Sequence, residues 1–296
     1  MAAQPGVKAP EITAFARDPV VIVPARGWVG LDLAELWRYR ELIGFLALRD
    51  IRIRYKQSLL GIAWAVIQPL LTMVVFTLLF RMLLGRHGMP TVEGVPYAVS
   101  TYCALVPWQL FATSLASSGD SLVSNQHLIR KVYFPRLVAP IAPILAALLD
   151  FGIALVVLFG MMLYSGVELG PSLLAVPLFV LFAVLTALAV SLWLSAANAI
   201  YRDVRFATPF LVQIWMFVTP VVYTTASVMK DQPEWVQLVY GLNPMAGVTE
   251  GFRWALLGAA APPATVLVAS IVAVLVLLVG GAFYFRRMER TFTDLV

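Results

Sequence analysis

Apolar residues come in blocks of about twenty along this chain, and the charged residues gather at the block edges. The sharpest junction is 49–80, RDIRIRYKQSLLGIAWAVIQPLLTMVVFTLLF. Charges fall at Arg49, Asp50, Arg52, Arg54 and Lys56, and then none appears until Arg81. A bilayer core about 30 Å thick is crossed by roughly 20 apolar residues in a helix. Basic residues just before such a run hold that end on the cytoplasmic side. The pattern recurs and predicts six membrane segments, at about 59–84, 97–117, 137–164, 173–200, 206–223 and 265–285. The fifth carries Pro209 and Pro220 and is barely long enough to span. Proline in a membrane helix is tolerated where neighbours or water re-satisfy the freed backbone.

Six is even, so both termini share a side. Seventeen of the 21 Lys and Arg precede the first segment, lie between the second and third or the fourth and fifth, or follow the sixth. The other four are Arg81, Arg86, Lys230 and Arg253. That bias predicts cytoplasmic N and C termini, with a bacterial inner membrane as the default location. Hydrophobic residues make up 61% of the chain and charged ones 12%, against roughly 25% charged in a soluble domain. The pI near 9.5 would suit nucleic acid, but the basic residues sit at segment ends rather than on one surface, so no nucleic-acid partner is expected. No cleavable signal peptide is expected either, because residues 1–34 lack an apolar core and are broken by Pro5, Pro10, Pro19 and Pro24. The single cysteine, Cys103, excludes an intrachain disulfide and a thiolate metal cluster.

Two further stretches are patterned without spanning. On a helix over 35–57, Arg38, Glu41, Arg49, Arg52 and Lys56 fall in one sector. Phe45 interrupts that sector, and Arg40 and Arg54 fall among the apolar residues. Such a helix either anchors along the inner headgroups or presents its charged side to a cytoplasmic partner. Residues 226–258 include Trp235, Leu238, Val239, Tyr240, Phe252 and Trp254, and are too interrupted to span. They predict two short helices dipping into the outer leaflet, split at Asn243-Pro244, because a residue before proline avoids the helical region. The plain alternative is a surface loop with scattered aromatics. The expected fold class is an all-α integral membrane protein with six transmembrane helices, an N-terminal amphipathic interface helix and outward re-entrant helices between the fifth and sixth spans. Its expected divisions are a cytoplasmic extension over 1–34, the interface helix over 35–57, the membrane domain over 58–288 and a cytoplasmic tail over 289–296.

Candidate chemistry is sparse. There is no GxxxxGK[ST] phosphate-cradling loop. The two histidines, His87 and His127, lie in loops on opposite sides and cannot share a metal. No catalytic residue or metal site is predicted. Asp150 falls midway along the third segment, where an ionisable side chain is costly and by default a functional candidate. It reads as a proton or substrate contact, or as a hydrogen-bonded packing residue, and its isolation weighs against a proton-driven carrier. Trp108, Phe111, Trp215, Phe217 and Tyr223 are candidates for a channel lining, since aromatic faces stack on sugar rings; they equally suit a helix core. In 124–140, SNQHLIRKVYFPRLVAP, Asn125 is predicted to cap a helix through Tyr133 that Pro135 ends.

Four stretches in order carry a resemblance: LWRYRELIGFLALRDIRIRYKQSLLGIAWAVIQP (36–69), NQHLIRKVYFPR (125–136), NAIYRDVRF (198–206) and LNPMAGVTEGFRWALLG (242–258). They resemble the membrane (permease) subunits of type-2 ABC transporters that export polysaccharides such as O-antigen, teichoic acid and galactan. The likeness runs from about residue 28 to the C-terminus. It implies docking onto an ATP-binding subunit by Asn125, His127, Leu128, Ile129, Arg130, Lys131, Val132, Tyr133 and Phe134, with Arg202 and Asp203 in a second contact. It implies an outward gate around Asn243, Pro244, Glu250, Phe252 and Arg253. No cofactor is implied in this chain, ATP and Mg being held by the separate subunit. The implied partners are two ATP-binding cassette subunits, a second copy of the chain, membrane lipids and a polyprenyl-linked polysaccharide. Arg49, Arg52, Arg54 and Lys56, or Arg130 and Lys131, would attract its pyrophosphate where the substrate enters. Two competing readings stay open, an exporter of a small lipid or drug and a membrane enzyme acting on a lipid-linked sugar. A channel wall without accessible aromatics favours the first, and activity without an ATPase subunit favours the second.

Overall fold

The computed structural model describes residues 33–56, 60–85, 92–229 and 232–295. The extension expected over 1–34 lies outside the described residues except for its last two, as do Gln57 and His87. Among the described residues every regular element is helical. In chain order these are α1 (Leu33–Arg38), α2 (Arg40–Lys56), α3 (Trp64–Leu84), α4 (Tyr97–Gly119), α5 (Ser121–Ser124), α6 (Gln126–Lys131), α7 (Val138–Tyr164), α8 (Val176–Ile200), α9 (Val204–Val218), α10 (Thr225–Met229), α11 (Glu234–Gly241), α12 (Pro244–Leu257) and α13 (Ala264–Leu295).

The long helices fall on the apolar blocks, and their ends have local causes. α12 starts at Asn243, whose side chain accepts the Met245 N–H, with Pro244 at the first helical position. It stops at Gly258, left-handed at φ 65°. α9 is shorter than the predicted fifth segment. Pro220 forces Thr219 into an extended conformation (ψ 142°), so the helix ends at Val218.

Among the described residues, four stretches are long and apolar enough to cross a membrane: Gly61–Leu83, Val138–Tyr164, Pro171–Ile200 and Ala264–Glu289. The expected second and fifth spans, α4 and α9, are not among them. α9 has only 15 residues. α4 has 23 residues but carries Ser100, Thr101, Gln109, Thr113 and Ser114. It can do so because it packs against α3, α7, α8, α9 and α12, with Tyr102, Cys103, Val106 and Phe111 fully buried. A helix walled by protein needs no continuous lipid-compatible surface, and small hydroxyl residues favour close helix packing.

Small residues also let α12 into the interior. A Cβ on Gly251 would lie 1.9 Å from the Phe179 ring of α8, and one on Gly247 would lie 2.8 Å from Ser270 of α13. α12 is therefore buried along almost its whole length. The two short helices expected here, split at Asn243-Pro244, are α11 and α12. α11 and the residue after it expose apolar side chains at Trp235, Leu238, Val239 and Leu242.

α2 packs alongside the first half of α7. Ile43, Leu46 and Ala47 share a buried cluster with Phe134, Val138 and Ala142, and farther along both helices Arg54 meets Asp150. Leu46 to Arg54 advances α2 by about 12 Å, and Ala142 to Asp150 advances α7 by the same amount. The two helices therefore rise together, with Phe45, Leu48 and Ile53 of α2 left exposed.

Candidate functional site

Asp150 is not isolated. Arg54 pairs with one of its carboxylate oxygens and the Tyr55 O–H donates to the other. Burial and the neighbouring carboxylate push the Tyr55 phenol up to about 12, so it stays protonated and donates. Arg49 is likewise engaged, by a two-nitrogen contact with Asp50 at 2.7 and 3.0 Å. Of the four basic residues expected where the substrate enters, Arg52 and Lys56 are the exposed ones. Beside the Arg54–Asp150 pair lies a cavity of about 450 Å³ between the end of α2 and helices α3, α4, α7 and α9. Gln68, Gln109, Thr113 and Ser117 line part of it, and Phe151 and Val212 another part.

The aromatic candidates divide. Trp108 and Phe111 of α4 are buried, and Trp215 of α9 closes on Phe111 edge to face at 5.1 Å. Trp108 and Phe111 thus pack in the core of the single chain, where α4 is enclosed by its neighbours. Tyr223 donates to the Val218 carbonyl at 3.1 Å and accepts from the Tyr240 hydroxyl at 3.1 Å. Phe217 alone of the five is strongly exposed, on a face of α9 shared with Phe206, Phe210 and Ile214.

That end of the molecule is tied by two polar networks. The Trp215 indole N–H donates to Asn243 Oδ1 at 2.9 Å, and Asn243 Nδ2 donates to Thr219 Oγ1 at 3.0 Å. Asn243 thus caps α12 and holds the end of α9 with one side chain. Deeper in, Arg253 donates to the Pro220 and Val221 carbonyls at 2.6 and 2.7 Å, and to Glu250 at 2.7 Å. Glu250 also accepts the Thr225 N–H at 3.0 Å, and Tyr97 donates to the Val222 carbonyl at 2.8 Å. Pro244 and Phe252 are buried beside this network. The residues expected as an outward gate are therefore a buried staple that fixes the turn after α9 to α4 and α12.

At the opposite end, α6 is shorter than expected, ending at Lys131, with Val132 already extended. Asn125 precedes it without a capping bond; its Nδ2 donates back to the Ser121 carbonyl at 2.8 Å instead. His127, Arg130, Lys131, Val132 and Tyr133 are exposed, whereas Phe134 is buried and Leu128 and Ile129 pack beneath. Arg202 and Asp203 are exposed as well. Sequence reasoning missed what joins these two loops. Asp120, between α4 and α5, lies 3.6 Å from Arg205, and Asn198 donates to the Gly119 carbonyl at 2.9 Å. Arg205 and Asn198 both fall in the NAIYRDVRF stretch, but nothing local marks Asp120 as their partner.

The described helices thus carry an exposed short helix at one end and a stapled turn at the other. Residues 41–257 match the profile of ABC-2 type transporters, and the chain belongs to that family. The match begins in α2 and ends with α12. Among relatives, the O-antigen export system permease protein RfbA of Myxococcus xanthus is 27% identical over 264 residues, covering 88% of this chain and 97% of the relative. A Klebsiella pneumoniae protein of the same description is 28% identical over 72% of this chain and 79% of its own length. The capsule polysaccharide export inner-membrane protein CtrC of Neisseria meningitidis is 21% identical, covering 75% and 81% respectively.

Proposed function

We propose that this chain is the membrane subunit of an ATP-driven exporter that carries a polyprenyl-pyrophosphate-linked polysaccharide across the bacterial inner membrane. Two copies pair to form the pathway, and each engages one ATP-binding cassette subunit that binds Mg and hydrolyses ATP. Six helices cross the membrane, with α4 and α9 completing the set and the termini on the cytoplasmic side. The observation that carries this reading is the exposed 127–133 segment, anchored from beneath by Leu128, Ile129 and Phe134, within a family match that spans it. The polysaccharide substrate is supported by the descriptions of three relatives.

ATP-driven closure of the partner pushes on α6 and on Arg202 and Asp203. Asp120 and Arg205 join these contacts, so both loops move with the start of α9. The exposed apolar stripes of α3 (Leu71, Val75, Leu78 and Met82) and of α9 suit burial against the second copy and against the glycan. Phe206, Phe210 and Phe217 supply the accessible aromatic surface that the buried Trp108 and Phe111 do not. Co-expression with the ATP-binding subunit tests the assembly. Recovery of a 2:2 complex whose ATPase collapses when 127–133 becomes a Gly/Ser stretch is expected. Retained co-purification with a full ATPase rate would sink it.

A further inference from the structure

The cavity beside Arg54 holds chemistry that docking and dimerisation leave unused. Its wall has two parts. Arg54, Tyr55 and Asp150 stand with the amides and hydroxyls of Gln68, Gln109 and Thr113, while Ala112, Ala147, Phe151, Ala154 and Val212 are apolar. A wall so divided accommodates an amphiphile, head on one part and chain on the other. Its volume of about 450 Å³ lies within the usual range for ligand sites, roughly 300–1,000 Å³.

The local charge selects the head. α2 brings Arg49, Asp50, Arg52, Arg54 and Lys56 to this end, and α7 brings Asp150. The residues that α3, α4 and α9 place in the wall carry no charge. The sum is positive by two, and Tyr55, Gln68, Gln109 and Thr113 all offer donors. Within the wall Arg54 and Asp150 balance each other, and the exposed Arg52 and Lys56 just outside it favour an anionic head. A guanidinium binds carboxylate and phosphate with the same two-pronged geometry, so the Arg54–Asp150 pair is exchangeable by construction.

We propose that this cavity holds the phosphate-bearing head of a lipid, with Arg54 leaving Asp150 for the phosphate oxygens and the lipid chain lying on the apolar wall. Asp150 stands in for the ligand when the site is empty and keeps a cation compensated within the membrane domain. The inference rests on the export reading for one source of that lipid, the glycan carrier; the other source is the anionic phospholipid of the bilayer.

The test uses the full chain in neutral detergent, with thermal stability titrated by geranylgeranyl pyrophosphate, geranylgeraniol, inorganic pyrophosphate and phosphatidylglycerol. Geranylgeranyl pyrophosphate is expected to stabilise saturably, with the alcohol and the inorganic ion needing at least about tenfold more, since each lacks one half of the contact. Asp150→Asn is expected to lower the half-saturating concentration, because the competing carboxylate is gone. The double variant R54Q/D150N keeps a neutral hydrogen-bonded pair and should hold its unliganded stability. It should raise the half-saturating concentration about tenfold or more, as expected for losing a charge-assisted bond. If Asp150→Asn binds no tighter and the double variant binds as the wild type does, the pair is structural and the site is refuted. Preference for geranylgeranyl pyrophosphate over phosphatidylglycerol assigns the site to the carrier, and equal response with the same Arg54 dependence assigns it to bilayer phospholipid. A chain that binds the lipid yet exports no glycan sinks the export reading alone. Export without pyrophosphate-dependent binding sinks the site alone.

Discussion

Replacing Arg253 by alanine should unfasten the turn after α9 from α4 and α12. The Arg253 side chain is 1% exposed and the Glu250 side chain 8%. The substitution removes the donors to the Pro220 and Val221 carbonyls and leaves the Glu250 carboxylate, among the described residues, with the Thr225 N–H. Stripping one partner from a buried ion pair costs about 3–5 kcal/mol, and orphaned carbonyls push towards the upper end. At about 2–4 °C per kcal/mol for a large domain, the apparent Tm should fall by about 6–20 °C. Heating detergent-solubilised protein and following the folded fraction by size exclusion measures it. Glu250→Gln combined with Arg253→Met removes both charges together and should lose less than half as much. A single Arg253→Ala variant within about 2 °C of the wild type, or a double variant as unstable as the single one, would refute the staple.

Three further outcomes use the same assay. Gly251→Ala drives a methyl to 1.9 Å from the Phe179 ring and should cost about 1–3 kcal/mol or more; an unchanged Tm would mean that α12 does not sit against α8. Trp215→Phe keeps the contact with Phe111 but deletes the bond to Asn243, for a loss of about 1 kcal/mol, whereas Trp215→Ala should lose several. Arg205→Ala, at a 62% exposed side chain, should move stability by less than about 1 kcal/mol. Its effect should appear instead as ATP hydrolysis uncoupled from export, and intact coupling would remove the Asp120–Arg205 link from the mechanism.

Helix positions were legible because apolar blocks bounded by charges leave little choice in a bilayer. The split between α11 and α12 was legible for a different reason, the restriction that Pro244 places on Asn243. What failed was anything that depends on which neighbour a face meets. α12 carries Glu250 and Arg253, and nothing in its own sequence names the helices that bury it; its glycines admit it to the interior, where those two charges satisfy each other. α4 reads as a membrane span with candidate channel aromatics, and the sequence does not tell that its neighbours enclose it and bury Trp108 and Phe111. Asp150 looked solitary because its partners Arg54 and Tyr55 lie 96 and 95 residues away. No window on the sequence could hold both ends of that pair.

The central claim is outward movement of a lipid-linked glycan at the expense of ATP. Inverted membrane vesicles containing this chain and its ATP-binding subunit, loaded on the outside with a radiolabelled polyprenyl-pyrophosphate glycan, test it most directly. The account predicts that the glycan becomes protected from an impermeant glycosidase only with hydrolysable ATP, and that replacing 127–133 by Gly/Ser abolishes the protection. Protection that proceeds equally without ATP or without the ATP-binding subunit would contradict it.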